Sequence, residues 1–452
     1  MSTATTPPTV SAAGTVVLTD ADSVRAAVPA GGPEWLAAMR QQGADRFAEL
    51  GLPTRRHEEW RYTSLKPLED LAFDPAPAPG AVTEQQVAQL AIPGLEGPRI
   101  VLVDGRYEPS LSNTDGLPGS VVVGPLERVM AEQEAVVKGM LGSVADDEDN
   151  AFVALNAALM TDGVIVHVPA KVRVEVPIYV LSITTGSEGS DAPPSLLNSR
   201  NLVVVGEDAH VVVVEDHATT SDEAVYLTNA VTELVVADRG HVEHVLIERD
   251  SVRAFNVTAL KSRQGAESQV ESHSVLLGGR IVRNEVNPKL EGEKADSLLN
   301  GLYVPNDEQH MDNHMRVEHR VGSCTSRQYY RGMLPDKTTG VFSGRIVVSD
   351  DASETDAIQS CQNLLLSDHA RAVTKPQLEI YDADVQCTHG ATTGQLQPEQ
   401  LFYLRSRGVE ESRARGLLVY AFASEGIDRI SLEPVREWVH RRFEERLPYV
   451  TP

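Results

Sequence analysis

Two side chains able to bind a soft metal, Cys387 and His389, stand two residues apart near the end of a strand-like segment, residues 375–390. Side chains alternate between the two faces of a strand, so both should point the same way, roughly 6 to 7 Å apart along the backbone. A thiolate and an imidazole aimed together are donors found in soft-metal and redox sites. The spacing therefore makes this pair the first candidate for chemistry in the chain.

Two donors are too few for the pair to hold iron or zinc alone, since such sites use about four ligands. One interpretation is a half-site that a second subunit completes. The other is that Cys387 and His389 fill the interior of a last coil, next to Val385. The residues alone leave both interpretations open.

A second group of potential ligands, His310, His314, His319 and Cys324, is the densest histidine cluster. In the strand-like segment that follows His314, His319 shares a face with apolar residues, which favours a structural role inside a coil. His310 and His314 fall in a polar turn and could as easily be plain surface residues as ligands. The spacing therefore argues against a metal site here.

Carboxylates cluster at Asp350, Asp351, Glu354 and Asp356 and could suggest a polysaccharide-cleaving site. No basic or aromatic partner lies near them in the sequence, so a solvated turn is the simpler interpretation. The sequence also contains no P-loop, Gly-x-Ser-x-Gly elbow or dinucleotide-binding glycine motif. We therefore do not expect this chain to hydrolyse ATP itself.

Composition excludes several classes of protein. The chain has 452 residues and a formal net charge of -25, which argues against binding to nucleic acid. Its three cysteines, Cys324, Cys361 and Cys387, are widely separated, so no disulfide framework is indicated and a cytoplasmic location is expected. There is no apolar run of about 20 residues, so neither a transmembrane helix nor a membrane partner is expected.

Residue patterns divide the chain into four regions. They are a flexible tail at 1–32, an α-rich cap with a small β element at 33–163, a β core at 164–396 and a C-terminal helical region at 397–452. Within the cap, apolar spacing is helical from 33 to about 71, and a further helix is expected over 150–160. The acidic run 146–149 before that helix suits the positive end of its dipole.

The β core consists of short β-branched runs separated by polar or glycine-containing turns. The turns recur at nearly equal intervals, near Asp208, Arg239, Gly265, Lys294, Gly322 and Asp351. A nearly constant period indicates stacked coils. We therefore predict a mainly β fold built on an open parallel β-helix, with a β-sandwich as the alternative.

Several segments resemble the SufD family of iron–sulfur cluster assembly scaffolds, which is related to SufB. They include the Cys-Thr-His-Gly motif within 384–392 and the Arg-Arg-His-Glu-Glu-Trp-Arg-Tyr-Thr motif at 55–63, together with segments 362–367, 375–380, 394–396, 401–408 and 419–423. SufB-like chains carry a cysteine where this chain has Ile380 and a glutamate where it has Gly390. The pattern is therefore that of the SufD branch.

The resemblance implies a right-handed parallel β-helix between helical caps. It also implies a heterodimer with SufB, a transient iron–sulfur cluster at the shared interface, and His389 as the residue that supports assembly or binds metal, with Cys387 beside it. The C-terminal helices would dock the SufC ATPase. The residues implied for that docking are Leu401, Phe402, Arg405, Arg407, Tyr420 and Phe422.

Three functional hypotheses follow. The first is a non-enzymatic scaffold subunit of a SufB–SufC–SufD complex, able to form a homodimer when alone. The second is a β-helix carbohydrate-active enzyme, which would need an exposed groove of carboxylates. The third is a homodimeric structural protein in which Cys387 and His389 have no metal role. In the last two cases the C-terminal helices would simply cap the exposed edge of the β-helix.

Overall fold

Two long β-sheets face each other in this computed structural model, which describes residues 14–145, 149–186 and 192–447. The N-terminal elements are β1 (Val16–Val17), α1 (Ala21–Ala26), α2 (Glu34–Leu50), α3 (Lys66–Glu69), β2 (Ala72–Phe73), α4 (Glu84–Leu90), β3 (Arg99–Val103), β4 (Arg106–Tyr107), β5 (Val122–Pro125), α5 (Leu126–Val137) and α6 (Ala151–Leu159). The core strands are β6 (Val164–Val168), β7 (Ile178–Thr184), β8 (Ser195–Leu197), β9 (Arg200–Val205), β10 (His210–Thr219), β11 (Tyr226–Val236), β12 (His241–Arg249), β13 (Phe255–Gln264), β14 (Gln269–Leu276), β15 (Ile281–Leu290), β16 (Asp296–Tyr303), β17 (His310–His319), β18 (Thr325–Leu334), β19 (Thr339–Val348), β20 (Thr355–Leu365), β21 (Arg371–Ile380) and β22 (Val385–Gly394). The C-terminal helices are α7 (Pro398–Ser406), α8 (Glu411–Ile427) and α9 (Glu433–Arg446).

The core strands form a parallel solenoid. The first sheet has the order β22-β20-β18-β16-β14-β12-β10-β7-β3-β4, and the second has the order β21-β19-β17-β15-β13-β11-β9-β6-β5. From β10 to β20 each strand pairs in parallel with the strand two places ahead, so each coil supplies one strand to each sheet. The prediction of a mainly β, parallel β-helical fold with helices at both ends is confirmed, and the β-sandwich alternative is wrong.

The turns explain the regular spacing of the repeat. A residue with positive φ recurs once in each successive coil, at Asp208, Arg239, Glu267, Lys294, Ser323 and Glu354. This conformation directs the backbone N–H towards the next coil: Ser323 N–H donates to the Ser353 carbonyl at 2.8 Å, and Glu354 N–H donates to the Asp384 carbonyl at 2.7 Å. Polar turn residues are therefore repeated because each turn bonds to its successor.

Stacked apolar side chains fill the space between the sheets. Adjacent strands of the first sheet, β10, β12 and β14, place Val211, Val242 and Val270 in register with one another. These valines belong to one buried cluster that includes residues from both sheets. β-branched side chains suit this position because they are stiff at χ1 and pack well on a pleated surface. The same alternation that buries these valines decides which polar residues point inward.

The N-terminal region is more ordered than the sequence predicts. Val16 and Val24 are buried in a cluster with Phe73, and β1 pairs with β2. The prediction of a flexible tail is therefore wrong for residues 15–27, while residues 1–13 lie outside the described chain. The helix predicted from 33 to about 71 ends at Leu50, since Gly51 follows with a φ of 65°.

The predicted helix over 150–160 is present as α6, whereas residues 146–148 of the acidic run lie outside the described residues. α6 packs against α2 at a close approach. A Cβ placed on Gly43 of α2 would lie 2.7 Å from the backbone nitrogen of Ala158. The glycine therefore lets the two helices approach within backbone contact distance.

The C-terminal helices lie along the flank of the first sheet. Asn300 of β16 donates to the Gly426 carbonyl at 2.9 Å, and Arg331 of β18 donates to the Phe422 carbonyl at 3.1 Å. These helices do not pair with β21 or β22, and each of those strands has a sheet neighbour on one side only within the described chain. Residues 388–394 of β22 are exposed, so the helices do not cover the final coil as a simple cap would. None of the helices in the described ranges is long and apolar enough to cross a membrane.

Candidate functional site

Cys387 and His389 both lie in β22, the strand at the uncovered end of the first sheet. β22 pairs only with β20, which sets Cys387 opposite Ala357 and His389 opposite Gln359. Cys387 is half-buried and His389 is exposed. The two predicted residues therefore stand next to each other in an edge strand, as their spacing required.

The face that carries them is the inner face of the solenoid. Cys387 packs against a buried cluster that contains Ile346 of β19 and Ala357 of β20. Cys361, two residues after Gln359, belongs to the main core between the sheets. Because alternate residues share a face, Gln359 and His389 also lie on this inner side. The pair thus sits at the open mouth of the last coil.

The environment of Cys387 lowers the reactivity of its thiol. Burial raises the pKa of Cys387, an effect that a hydrogen bond from the Ala357 backbone opposes and the nearby Asp356 carboxylate reinforces. The fraction of thiolate, the form that binds metal, is therefore small near neutral pH. Burial likewise raises the pKa of Cys324 and raises the pKa of Cys361 to about 12. His389 is consequently the more available donor at this edge.

Within the described residues, no further metal donors of this chain join Cys387 and His389. Across the part of the chain that the structure describes, no group of three or more His, Cys, Asp or Glu residues is arranged to hold a metal ion. Cys387 and His389 can therefore supply two donors at most, and iron needs further ligands. Two donors on an open edge are compatible with a half-site completed by a second chain and equally with a pair that has no metal role.

His310 and His314 differ from expectation, because both lie in β17 and have partners in the N-terminal motif at 55–63. The His310 ring nitrogen Nε2 is 2.8 Å from the Thr63 hydroxyl, and His314 Nε2 is 2.6 Å from a Glu59 oxygen. The hydrogen bond from His314 lowers the pKa of Glu59 to about 2. The predicted polar turn is wrong, because both residues lie in a strand, and the alternative of plain surface residues is wrong too, because their partners come from a distant part of the sequence.

The same motif reaches the edge strand of the second sheet. Lys375 of β21 pairs with Glu58 at 2.6 Å, and Arg345 of β19 pairs with Glu59 at 3.0 Å. Residues 58–63 therefore form a strap that ties the N-terminal region to the last coils. This positions β21, the strand beside the candidate site, by contacts that the sequence alone does not reveal.

His319 is inside the solenoid, as predicted. Its side chain is 0% exposed, and its Nε2 is 2.9 Å from the Ser326 hydroxyl. Burial lowers the pKa of His319 to about 4. Its role is therefore structural.

Two of the four carboxylates near 350–356 have partners in the preceding coil. Asp356 pairs with Arg327 at 2.5 Å, and Glu354 accepts a hydrogen bond from the Ser323 hydroxyl at 2.8 Å. Both partners lie one coil earlier in the chain, so they are not neighbours of these carboxylates in the sequence. The interpretation as a turn holds for Glu354, whereas Asp356 is the second residue of β20 and does have a basic partner.

The residues implied for docking an ATPase fall into two groups. Leu401, Phe402, Arg405 and Arg407 lie in or directly after α7, where Phe402 is 73% exposed. Tyr420 and Phe422 lie in α8 and face the molecule: Tyr420 stacks on His440 with centroids 5.3 Å apart, and the Arg331 guanidinium lies 4.9 Å from the Phe422 ring. Only the first group offers a free apolar surface. Sequence analysis missed Tyr403, which is 57% exposed beside Phe402.

Few large apolar side chains of the described chain are exposed, and two of them lie at the end of β21, the edge strand of the second sheet. Ile380 and Tyr381, at the end of β21, are 40% and 69% exposed. Together with Phe402 and Tyr403 they are four of the five large apolar residues that are exposed in the described chain, the fifth being Val252. An unpaired strand edge and exposed apolar residues are both typical of a surface that another chain covers.

Comparisons with known proteins identify the family of this chain. The family described as "SUF system FeS cluster assembly, SufBD core domain" matches residues 184–422, and "SufBD protein N-terminal region" matches residues 22–180. The iron–sulfur cluster assembly protein SufD of Escherichia coli is 32% identical over 408 residues, covering 90% of this chain and 92% of its own length. An iron–sulfur cluster assembly SufBD family protein of Synechocystis is 32% identical over 88% of each chain.

A more distant relative extends the likeness to another bacterial group. The iron–sulfur cluster assembly protein SufD of Bacillus subtilis is 24% identical over 92% of this chain and 94% of its own. The matches cover both the N-terminal region and the solenoid. This chain therefore belongs to the SufBD family of the SUF iron–sulfur cluster assembly system, and its resemblance to SufD is confirmed.

Proposed function

We propose that this chain is the SufD-type scaffold subunit of a SufB–SufC–SufD complex and supports de novo cluster assembly where it meets SufB. The observation that carries the proposal is the position of His389 and Cys387, a two-donor half-site on an edge strand that has no second neighbour within the described chain. Iron and sulfide are here the cargo of the assembly. The remaining ligands come from the partner chain.

The uncovered end of the solenoid is suited to pairing with a second β-solenoid. β21 and β22 each present one free side to a partner strand, and Ile380 and Tyr381 add apolar area beside them. A SufB-type chain would cover this edge in the complex. In its absence a second copy of this chain could occupy the same edge, which accounts for a homodimer.

His389 is the residue that we expect to contribute a lone pair to iron. It is exposed at the mouth of the last coil, whereas burial raises the pKa of the neighbouring Cys387 thiol. A neutral imidazole binds metal without first losing a proton. Cys387 is the second donor of the proposed half-site, and its contribution is expected to be the smaller one.

Nucleotide hydrolysis belongs to another subunit in this proposal. The sequence has no P-loop. The exposed rings of Phe402 and Tyr403 on α7 offer a docking surface for a SufC-type ATPase. The three unpaired cysteines agree with a reducing compartment, and we expect the cytoplasm.

Anaerobic reconstitution with iron and sulfide tests the proposal. The chain alone should yield no stable cluster, and the visible absorption of an iron–sulfur cluster should appear when SufB-type and SufC-type partners are present. The control is the same mixture without this chain, which should form much less cluster. An equal yield without this chain would refute the scaffold role and favour a structural homodimer.

A further inference from the structure

Gln359 is buried directly beside His389 and has an unused hydrogen-bond acceptor. It is 1% exposed, lies opposite His389 in the register of β20 and β22, and shares the inner face with it. Its Nε2 donates to Gln328 Oε1 at 3.0 Å, but its own Oε1 has no hydrogen-bond partner. Leaving a buried acceptor unpaired costs about 1–3 kcal/mol, so folded proteins seldom keep one without a use.

The direction of the carboxamide explains what this oxygen can reach. Gln328 is on β18, one coil inward, so the donated N–H of Gln359 points away from the edge. The amide oxygen of Gln359 is on the opposite arm of the planar group, so it points away from β18 and towards β22. That strand runs beside β20 at the usual strand spacing of about 4.8 Å. The side chain that stands there in register is His389.

The opposite sheet holds the carboxamide in place. A Cβ on Gly344 of β19 would lie 2.3 Å from Gln359 Nε2, so only a glycine at 344 leaves room for the amide in this position. The amide is therefore confined between the sheets and bonded at one end to Gln328. Such confinement is what a group that orients another side chain requires.

We propose that Gln359 is a positioning residue for His389, whose imidazole N–H donates to Gln359 Oε1 while the other ring nitrogen faces the open edge. A neutral imidazole has one N–H and one lone pair, and metal-binding histidines commonly donate the N–H to a neighbouring acceptor. The acceptor fixes which nitrogen keeps the lone pair. This inference rests on the proposed role of His389 as an iron donor.

The test uses the assembled complex and Co²⁺ as a spectroscopic probe of the iron site. Gln359→Met keeps the length and apolar volume of the side chain but removes the acceptor, and it should weaken Co²⁺ binding about 10- to 100-fold. Gln359→Glu keeps an acceptor, and Gln328 can donate to the added oxygen from its unused Nε2 once its own amide turns by about 180°, because Oε1 is the atom that faces Gln359 in the original protein. That variant should restore binding to within about threefold of the original.

A matched control separates positioning from general damage to the solenoid. Gln264 is also fully buried, but its carboxamide is hydrogen-bonded to Ser297 and to the Asp296 carbonyl, far from the edge. Gln264→Met should lower the thermal midpoint without changing Co²⁺ affinity. If Gln359→Met does not fold, Gln359→Asn withdraws the carboxamide by one methylene and should also weaken binding.

The outcomes distinguish this inference from the proposed function. Loss of Co²⁺ binding in His389→Ala, with unchanged binding in Gln359→Met, would overturn only the positioning role. Equal weakening by Gln359→Met and Gln359→Glu would also overturn it, because the acceptor would then not matter. Unchanged binding in His389→Ala would overturn both.

Discussion

Cys387 and His389 occupy alternate positions on the same face of one strand, but they differ in burial. The thiol packs against the core beneath it, and burial raises its pKa, whereas the imidazole is exposed at the mouth of the coil. Strand alternation in the sequence predicts that they share a face, but it does not predict how deeply each is buried. That depends on Ile346 and Ala357, which belong to other strands of the solenoid. The structure therefore adds a physical reason, the different burial of the two side chains, for the preference for His389 that the family resemblance implies.

His319 gives a pH dependence at the residue scale. Its pKa is about 4 in the folded protein and near 6.5 when unfolded, so between these values the unfolded state takes up the proton first. Stability at neutral pH should consequently be lost as pH falls from about 6.5 through 4, by roughly 3 kcal/mol from this group. The comparison is the free energy of unfolding of the original protein and of His319→Gln, measured by denaturant titration at several pH values.

The His319→Gln variant removes the titrating ring and keeps a group that can bond to Ser326. Its unfolding free energy should therefore fall less steeply with acid than that of the original protein. Identical slopes for the two proteins would show that His319 is protonated equally in both states.

At the scale of elements, α7 carries exposed rings available for docking a partner, whereas the rings of α8 pack against the rest of the protein. The helical spacing of apolar residues in the sequence predicts an apolar stripe on each helix. It does not predict which of the two stripes the rest of the protein covers. Phe422 meets Arg331 of β18 and Tyr420 meets His440 of α9, contacts that only the fold brings together. Phe402 and Tyr403 remain 73% and 57% exposed, and the guanidinium over the Tyr403 ring is that of Arg407, which directly follows the same helix.

Two alanine substitutions test this separation. Phe402→Ala should leave the unfolding free energy within about 0.5 kcal/mol and reduce retention of a SufC-type partner during purification. Phe422→Ala should lower the unfolding free energy by about 1–2 kcal/mol, because it removes a half-buried ring and its contact with Arg331. Release of the partner by Phe422→Ala at unchanged stability, with retention by Phe402→Ala, would reverse the assignment.

At the scale of the whole molecule, the solenoid is covered on its flanks and open at its last coil. The sequence predicts the repeat of the solenoid because polar turn residues recur at a nearly constant spacing. The structure gives the reason for that spacing, since the backbone of each turn is hydrogen-bonded to the next turn. Contacts between coils were not readable, as the pair of Arg327 with Asp356 shows. The tail prediction failed for the same reason, since β1 needs β2, which lies beyond three intervening helices, to become a strand.

The open end predicts where a partner chain binds. Ile380→Lys places a charge on the edge and should prevent association with a SufB-type chain, because lysine on an edge strand opposes further strand pairing. Stability should change little, since Ile380 is 40% exposed. Val252→Lys is the matched control, as Val252 is 46% exposed but lies in the turn between β12 and β13. Light scattering of the mixed chains would measure association, and equal complex formation by Ile380→Lys and Val252→Lys would contradict an interface at this edge.

The most direct test of the central claim is the cluster yield of the assembled complex carrying His389→Ala. His369→Ala is the control, because His369 is a second exposed histidine in the turn between β20 and β21 of the same coil. After anaerobic reconstitution with iron and sulfide, His389→Ala should yield almost no cluster while the complex stays assembled, and His369→Ala should match the original. An undiminished cluster yield in an assembled His389→Ala complex would contradict the role of this edge in iron–sulfur cluster assembly.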